Sequence, residues 1–242
     1  MDFLKSLRNT RGSSDEDKEE KSEEETSKEE TSEEETSKPL WQLCFEGQLE
    51  EARLALRGGE DVNSKDGREQ TALMWAVAKN HTGIVELLLE QPPLELNSKN
   101  YSNYTALHLA AQNNSVDAMR LLLANKHVDL KCEDYNGMTA LHWAARENNS
   151  DAMALLLTKK QVDVNSNSSW SPFDGTEDMT PLHWASMKNS VDALQKLLAY
   201  KKVDVNCRDR KGRSALHLAA NNALWVKQCN YKRSKVCKSS QK

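Results

Sequence analysis

The segments TALMWAV at Thr71–Val77, TALHLAA at Thr105–Ala111, TALHWAA at Thr139–Ala145, TPLHWAS at Thr180–Ser186 and SALHLAA at Ser214–Ala220 are one phrase written five times. Successive copies start 34, 34, 41 and 34 residues apart. Upstream, PLWQLC from Pro39 aligns 33 residues before Ala72 and supplies a divergent first copy. A period of this length marks units that cannot bury their apolar faces alone and therefore stack.

Each unit reads as two short helices and a connector. The Thr or Ser opening the phrase sits at an N-cap, where its oxygen can accept an amide of the first turn. Leu two residues on and Ala five residues on then share a helix face. Asn80, Asn114, Asn148 and Asn189 recur nine residues after the cap. Asparagine tolerates the left-handed backbone that ends a helix, so this column predicts the turn between the two helices. A second apolar cluster follows (Ile84–Leu89, Ala118–Leu123, Ala152–Leu157, Ala193–Leu198), and then a polar connector that opens on segments such as VDVN. Helices this short are marginal alone, so packing between units must supply their stability.

The T-x-L-H-x-A-A motif at this period resembles the ankyrin repeat over residues 39–222. The resemblance implies an all-α solenoid of about six helix-turn-helix units joined by short β-hairpin fingers. Units fall near 39–70, 71–104, 105–138, 139–179 and 180–213, with a partial one at 214–222. Most units are one residue longer than the family norm. The resemblance also gives His108, His142, His183 and His217 a structural task, bridging the cap residue to the next connector. A metal site is a poor alternative, because layers stacked about 10 Å apart cannot share a ligand sphere. Met74 replaces histidine in the second unit and must forgo that bridge. Trp75, Leu109, Trp143, Trp184 and Leu218 occupy a column that reads mainly as core packing.

Ankyrin-repeat proteins usually bind partners through fingertips and the exposed ends of inner helices. Carried onto the matching columns, the fingertip candidates are Tyr101, Tyr104, Tyr135, Met138, Arg210, Lys211 and Arg213. The helix-end candidates are Gln112, Arg146, Glu147, Met187 and Lys188. Tyr, Met and Arg are enriched where interfaces carry their energy. The longer 41-residue spacing places extra residues, including Trp170 and Phe173, in one connector. These two aromatics are either anchors on a protruding loop or are folded back over their own finger. Asn97, Asn165 and Asn206 close VDVN-like segments and, by the same family resemblance, are candidates for asparaginyl hydroxylation.

Charge is segregated. Residues 15–38 carry thirteen acids and four lysines, while 227–242 carry six Lys or Arg and no acid. The segment 1–38 is therefore expected to be a disordered acidic tail. Within it Ser22, Ser27 and Ser32 each precede an acid by three residues, the pattern an acidophilic kinase prefers. Residues 223–242 read as a basic tail. Lys227, Gln228, Asn230 and Tyr231 stand where earlier units have apolar outer-helix residues. An outer helix built from them could not cover its neighbour, so amides near the C-terminal end of the array are expected to exchange fastest.

Five cysteines without a CxxC pair suggest a reducing compartment. No run of apolar residues is long enough to span a bilayer. Neither a nucleophile–base motif nor a phosphate-binding glycine loop appears, and no cofactor is called for. The expected function is a monomeric, non-catalytic protein-binding module or scaffold, cytoplasmic with the nucleus as a second location. Its expected partner is a protein segment bearing acids and apolar anchors, rather than nucleic acid, membrane or a small-molecule substrate. The alternative is the repeat portion of a larger enzyme or channel.

Overall fold

A computed structural model describes residues 38–169 and 178–222. The chain divides between Ser37 and Lys38. Trp170, Phe173, Ser22, Ser27, Ser32 and both tails lie outside the described residues. Ten helices follow one another: α1 Leu40–Glu46, α2 Leu49–Arg57, α3 Ala72–Ala78, α4 Thr82–Leu89, α5 Ala106–Asn113, α6 Val116–Ala124, α7 Ala140–Arg146, α8 Ser150–Leu157, α9 Pro181–Lys188 and α10 Val191–Ala199. A further helix, α11, covers 215–222, where the described residues stop. Odd-numbered helices from α1 to α9 stack on one another as an inner row, and even-numbered ones as an outer row. None of the described helices is long and apolar enough to cross a membrane.

The inner helices start as the phrase predicts, on Thr71, Thr105, Thr139 and Thr180 in extended backbone. In three of them the box closes both ways: histidine at the third helical position takes the amide of its own cap, as His108 Nδ1 does from Thr105 (3.1 Å). The turn asparagines Asn80, Asn114, Asn148 and Asn189 have φ of 57°, 55°, 61° and 57°. Gly47 takes the same role in the first unit at φ 82°.

These asparagines do more than turn the chain. Asn80 Oδ1 accepts the Ala118 amide of the next outer helix at 3.0 Å. Asn114 accepts from Ala152 at 3.3 Å, and Asn148 from Ala193 at 3.0 Å. Each turn thereby caps the helix of the following unit, so unit order is written into hydrogen bonds as well as packing. Asn148 adds a bond from Nδ2 to Asp192 (2.9 Å). Replacing Asn148 with Ala puts a β-carbon into left-handed backbone and removes the cap, and should cost about 2 kcal/mol. Urea titration against wild type measures it, and an unchanged midpoint would remove the cap from the account.

The core runs between the rows. Leu73, Leu107, Leu141 and Leu182 are each at most 4% exposed, and Leu88, Leu122, Leu156 and Leu197 at most 1%. Each such burial removes an isobutyl group from water, worth about 2 kcal/mol. Trp143 and Trp184 are also buried, at 4% and 7%. The tryptophan column is therefore mainly core, and Trp75 is half-exposed.

The fingers differ from β-hairpins. Among the described residues they contain no strand, only isolated bridges Lys65–Thr71 and Ser168–Met179. The reason is chemical. Asp66, Asn100, Asp134 and Asp209 each accept two amides of their own turn on one side-chain oxygen, taking up donors a ladder would need.

Candidate functional site

The site is built on the fingertips and the exposed ends of the inner helices. Tip backbones are tied one to the next: the Tyr101 amide donates to Arg68 O (3.3 Å), Tyr135 to Ser102 O (3.4 Å) and Ser169 to Asn136 O (3.0 Å). On this frame the Tyr101 and Tyr135 side chains are 63% and 65% exposed. Two aromatic rings in water on adjacent tied fingers serve no packing purpose within the array.

Cations flank them. The Arg146 guanidinium lies 4.6 Å from the Trp143 ring and 5.6 Å from the Trp184 ring, with Glu147 at 3.6 Å. Cation–π contact with two indoles holds the guanidinium at the helix end, and Arg146 Nε has no hydrogen-bond partner among the described residues. Toward the first unit Lys79 sits 4.6 Å over Phe45, which meets Trp75 edge-on at 5.0 Å. Lys188, Arg210 and Lys211 are exposed, and Met187 is half-buried beside Lys188.

Three sequence candidates have other duties. Met138 is 2% exposed and belongs to the core, and its carbonyl accepts from His108. Its place just before the Thr139 cap turns it inward from the tip. Tyr104 is half-buried, edge-on to Trp143 at 5.3 Å and stacked on His108 at 6.1 Å. Burial first, and then the Asp134 carboxylate, push its phenol above the ordinary range. Arg213 is half-buried and pairs with the buried Asp209 at 2.7 Å. Neither Tyr104 nor Arg213 is a plain fingertip group.

A pairing that sequence reading missed holds the floor of the site. Trp75 Nε1 donates to Asp66 and Trp143 Nε1 to Asp134, each at 3.0 Å and each across nine residues. In the longer finger no acid stands nine residues before Trp184, which donates to Ser168 Oγ instead (3.1 Å). The second finger pairs Asn100 with Leu109, which has no donor to give. The spacing was visible in the sequence as Asp66 with Trp75 and Asp134 with Trp143, whereas Asp209 stands nine residues before Leu218 and pairs with Arg213 instead.

The histidine column is structural. His108, His142 and His183 accept the amide of their own cap threonine on Nδ1, so Nε2 carries the proton. That N–H donates to the next connector: His108 to Met138 O, His142 to Ser166 O and Met179 O, His183 to Arg213 O, all within 3.1 Å. Both ring nitrogens are thus committed, leaving no lone pair for a metal. The described residues hold no cluster of three or more His, Cys, Asp or Glu placed to bind one. Desolvation lowers all three imidazoles, His142 to about 4.

The connector asparagines also bridge units rather than their own turns. Asn97 donates to His127 O and accepts from the Asp129 amide, both at 2.9 Å. Asn165 does the same with Lys202 O (2.8 Å) and the Asp204 amide (2.9 Å). The Asn206 side chain has no such partner among the described residues, and the residue is exposed.

No curated protein matches the chain. A family model described as ankyrin repeats (3 copies) matches residues 21–100, 93–168 and 171–229. Paired short helices in two stacked rows, tied fingers and this match agree: the chain belongs to the ankyrin-repeat family, whose repeats are generally protein–protein interaction modules and typically non-catalytic.

Proposed function

We propose that this chain is a non-catalytic binding module, monomeric on its own, that takes an acidic protein segment with apolar anchors along its fingertips. The observation that carries this reading is the pair Tyr101 and Tyr135, both nearly two-thirds exposed on adjacent tied fingers. A tyrosine ring offers rigid apolar area with a hydroxyl at its end, at small entropic cost. Arg146, Lys188, Arg210 and Lys211 supply positive charge beside it, and the Arg146 guanidinium can meet a carboxylate with two donors. The strip suits a segment that lays its own apolar side chains against the rings and its acids toward the helix ends. Cytoplasmic or nuclear partners fit a chain whose described cysteines, Cys44, Cys132 and Cys207, are free thiols.

The test is capture of partners by the full chain, wild type against Tyr101→Ala/Tyr135→Ala. Tyr104 is left intact, because its ring supports Trp143. Both changes are on exposed side chains, so folding should be unaffected and affinity should fall by about 1–3 kcal/mol. A double variant that keeps every partner at wild-type affinity removes the tyrosine strip as the site.

Hydroxylation of a connector asparagine belongs to the same reading. Asn206 is the best presented of the three, since Asn97 and Asn165 have their amides engaged. Peptide mass analysis of protein from cells, showing no added oxygen at Asn206, would remove it.

A further inference from the structure

The last unit presents an unfinished interface. In the leucine column of the inner helices, Leu73, Leu107, Leu141 and Leu182 are 1%, 2%, 1% and 4% exposed, whereas Leu216 is 77% exposed. In the connector column Val62, Leu96 and Val164 are 6%, 9% and 5% exposed and Leu130 is half-buried, whereas Val205 is 50% exposed. At the end of the outer helices Leu123 is 7% exposed and Leu89 and Leu157 are half-buried against the core, whereas Leu198 is 59% exposed. Three columns that are buried or half-buried in every earlier unit are therefore exposed together at the end.

The hydrogen bonds that tie units end there too. Asn80, Asn114 and Asn148 each cap the next outer helix, and Asn189, in the same left-handed backbone, has no side-chain partner among the described residues. His217 holds Ser214 through Nδ1 as its predecessors hold threonine, but its Nε2 has no acceptor among the described residues. Among the described residues no outer helix sets its first turn over Asn189 or an apolar stripe toward Leu198 and Leu216.

The surrounding charge says what kind of helix fits. Residues 189–222 hold seven Lys or Arg and three Asp, and Lys196, Lys201, Lys202, Arg208 and Lys211 are exposed. The chain's own continuation is mismatched, since its outer-helix columns are Lys227, Gln228, Asn230 and Tyr231, and residues 227–242 are basic. A second copy is no better matched. The face that its first unit would offer carries Glu51, where later units have Ile84, Ala118, Ala152 and Ala193.

The geometry points to this end face as a docking groove for an amphipathic helix of a partner protein, apolar on one side and acid-flanked, which completes the last repeat in trans. Helix-in-groove recognition supplies the apolar contacts, and the basic rim supplies orientation. This site shares Lys211 with the proposed strip but none of its aromatic anchors, so Leu216→Glu and Tyr101→Ala/Tyr135→Ala tell the two apart.

The test uses the full chain and a fluorescein-labelled peptide that carries the α8 sequence Ser150–Leu157 flanked by glutamates, followed by anisotropy and by backbone NMR shifts. Saturable binding tighter than about 1 mM is expected, with shifts at 189–220. Leu216→Glu or Val205→Glu should weaken binding at least about tenfold; both side chains are exposed, so the fold tolerates the change. Asn189→Gly keeps the left-handed turn and should weaken binding severalfold by removing the cap. Tyr101→Ala/Tyr135→Ala should leave binding unchanged, and a lysine-flanked peptide should bind at least about tenfold more weakly. Absent binding, or binding indifferent to Leu216→Glu, overturns the proposal. A dimer split by Leu216→Glu would assign the face to a second copy. Binding that appears only when residues 223–242 are deleted would assign it to the chain's own end. Either result also overturns the partner helix.

Discussion

Stability should fall steeply between pH 6.5 and pH 4, ahead of ordinary acid denaturation. His142 is buried and neutral, with its one proton donated to two carbonyls, and desolvation holds its pKa at about 4 against 6.5 when free. Above pH 6.5 both folded and unfolded chains keep this ring neutral, and its pH-dependent contribution is fully present. Below 6.5 the unfolded chain takes up a proton that the folded ring refuses, so acid favours unfolding until the folded group itself titrates near 4. The loss from His142 alone is about 3 kcal/mol by pH 4. His108 and His183, lowered by the same burial, act in the same direction. The carboxylates of Asp66 and Asp209 are held below their ordinary range and contribute to acid loss only at lower pH. Urea midpoints at pH 7.5, 5 and 4 check this, with His217→Gln as a control because that ring is exposed and has no carbonyl partner among the described residues. A midpoint unchanged between pH 7.5 and 5 would mean that the column is not desolvated.

The second large effect belongs to Gly137. Its φ is 65°, and a β-carbon there would fall inside van der Waals contact with the backbone and side chain of Ser169 on the next finger. The Ser169 amide makes the bond to Asn136 O that ties the two fingers. Gly137→Ala therefore combines left-handed strain with a broken tie, for a loss of about 3 kcal/mol. Gly212 has φ 72° but nothing within 4 Å of an added carbon. Gly212→Ala should cost only the strain, about 1 kcal/mol. Equal losses at the two positions would show that finger-to-finger contact adds nothing.

The helical frame was legible because the features that make it are local. A Thr cap, an apolar stripe and a turn asparagine act within about ten residues, and the repeat shows each of them several times. Interactions between units were harder to see. Asn97 could be read as closing its own turn, and only the stacked arrangement places His127 O and the Asp129 amide within its reach. Met138 looked like a fingertip by column, yet the residue before a cap faces inward once the finger closes on Asp134. The fingers lost their expected strands to the same aspartate chemistry. Within the candidate site, the exposure of Tyr101 and Tyr135 agrees with the sequence reading, whereas the contact of Arg146 with two indoles depends on the packing of α7 against α9 and has no sequence signature.

Hydrogen-exchange footprinting of the full chain with a captured partner tests the fingertip site most directly. The account predicts added protection at 100–103, 134–137 and 145–147, spanning the tyrosine tips and the Arg146 helix end, with α4, α6 and α8 unchanged. Protection confined to those outer helices, with the tyrosine tips still exchanging at the free rate, would contradict it.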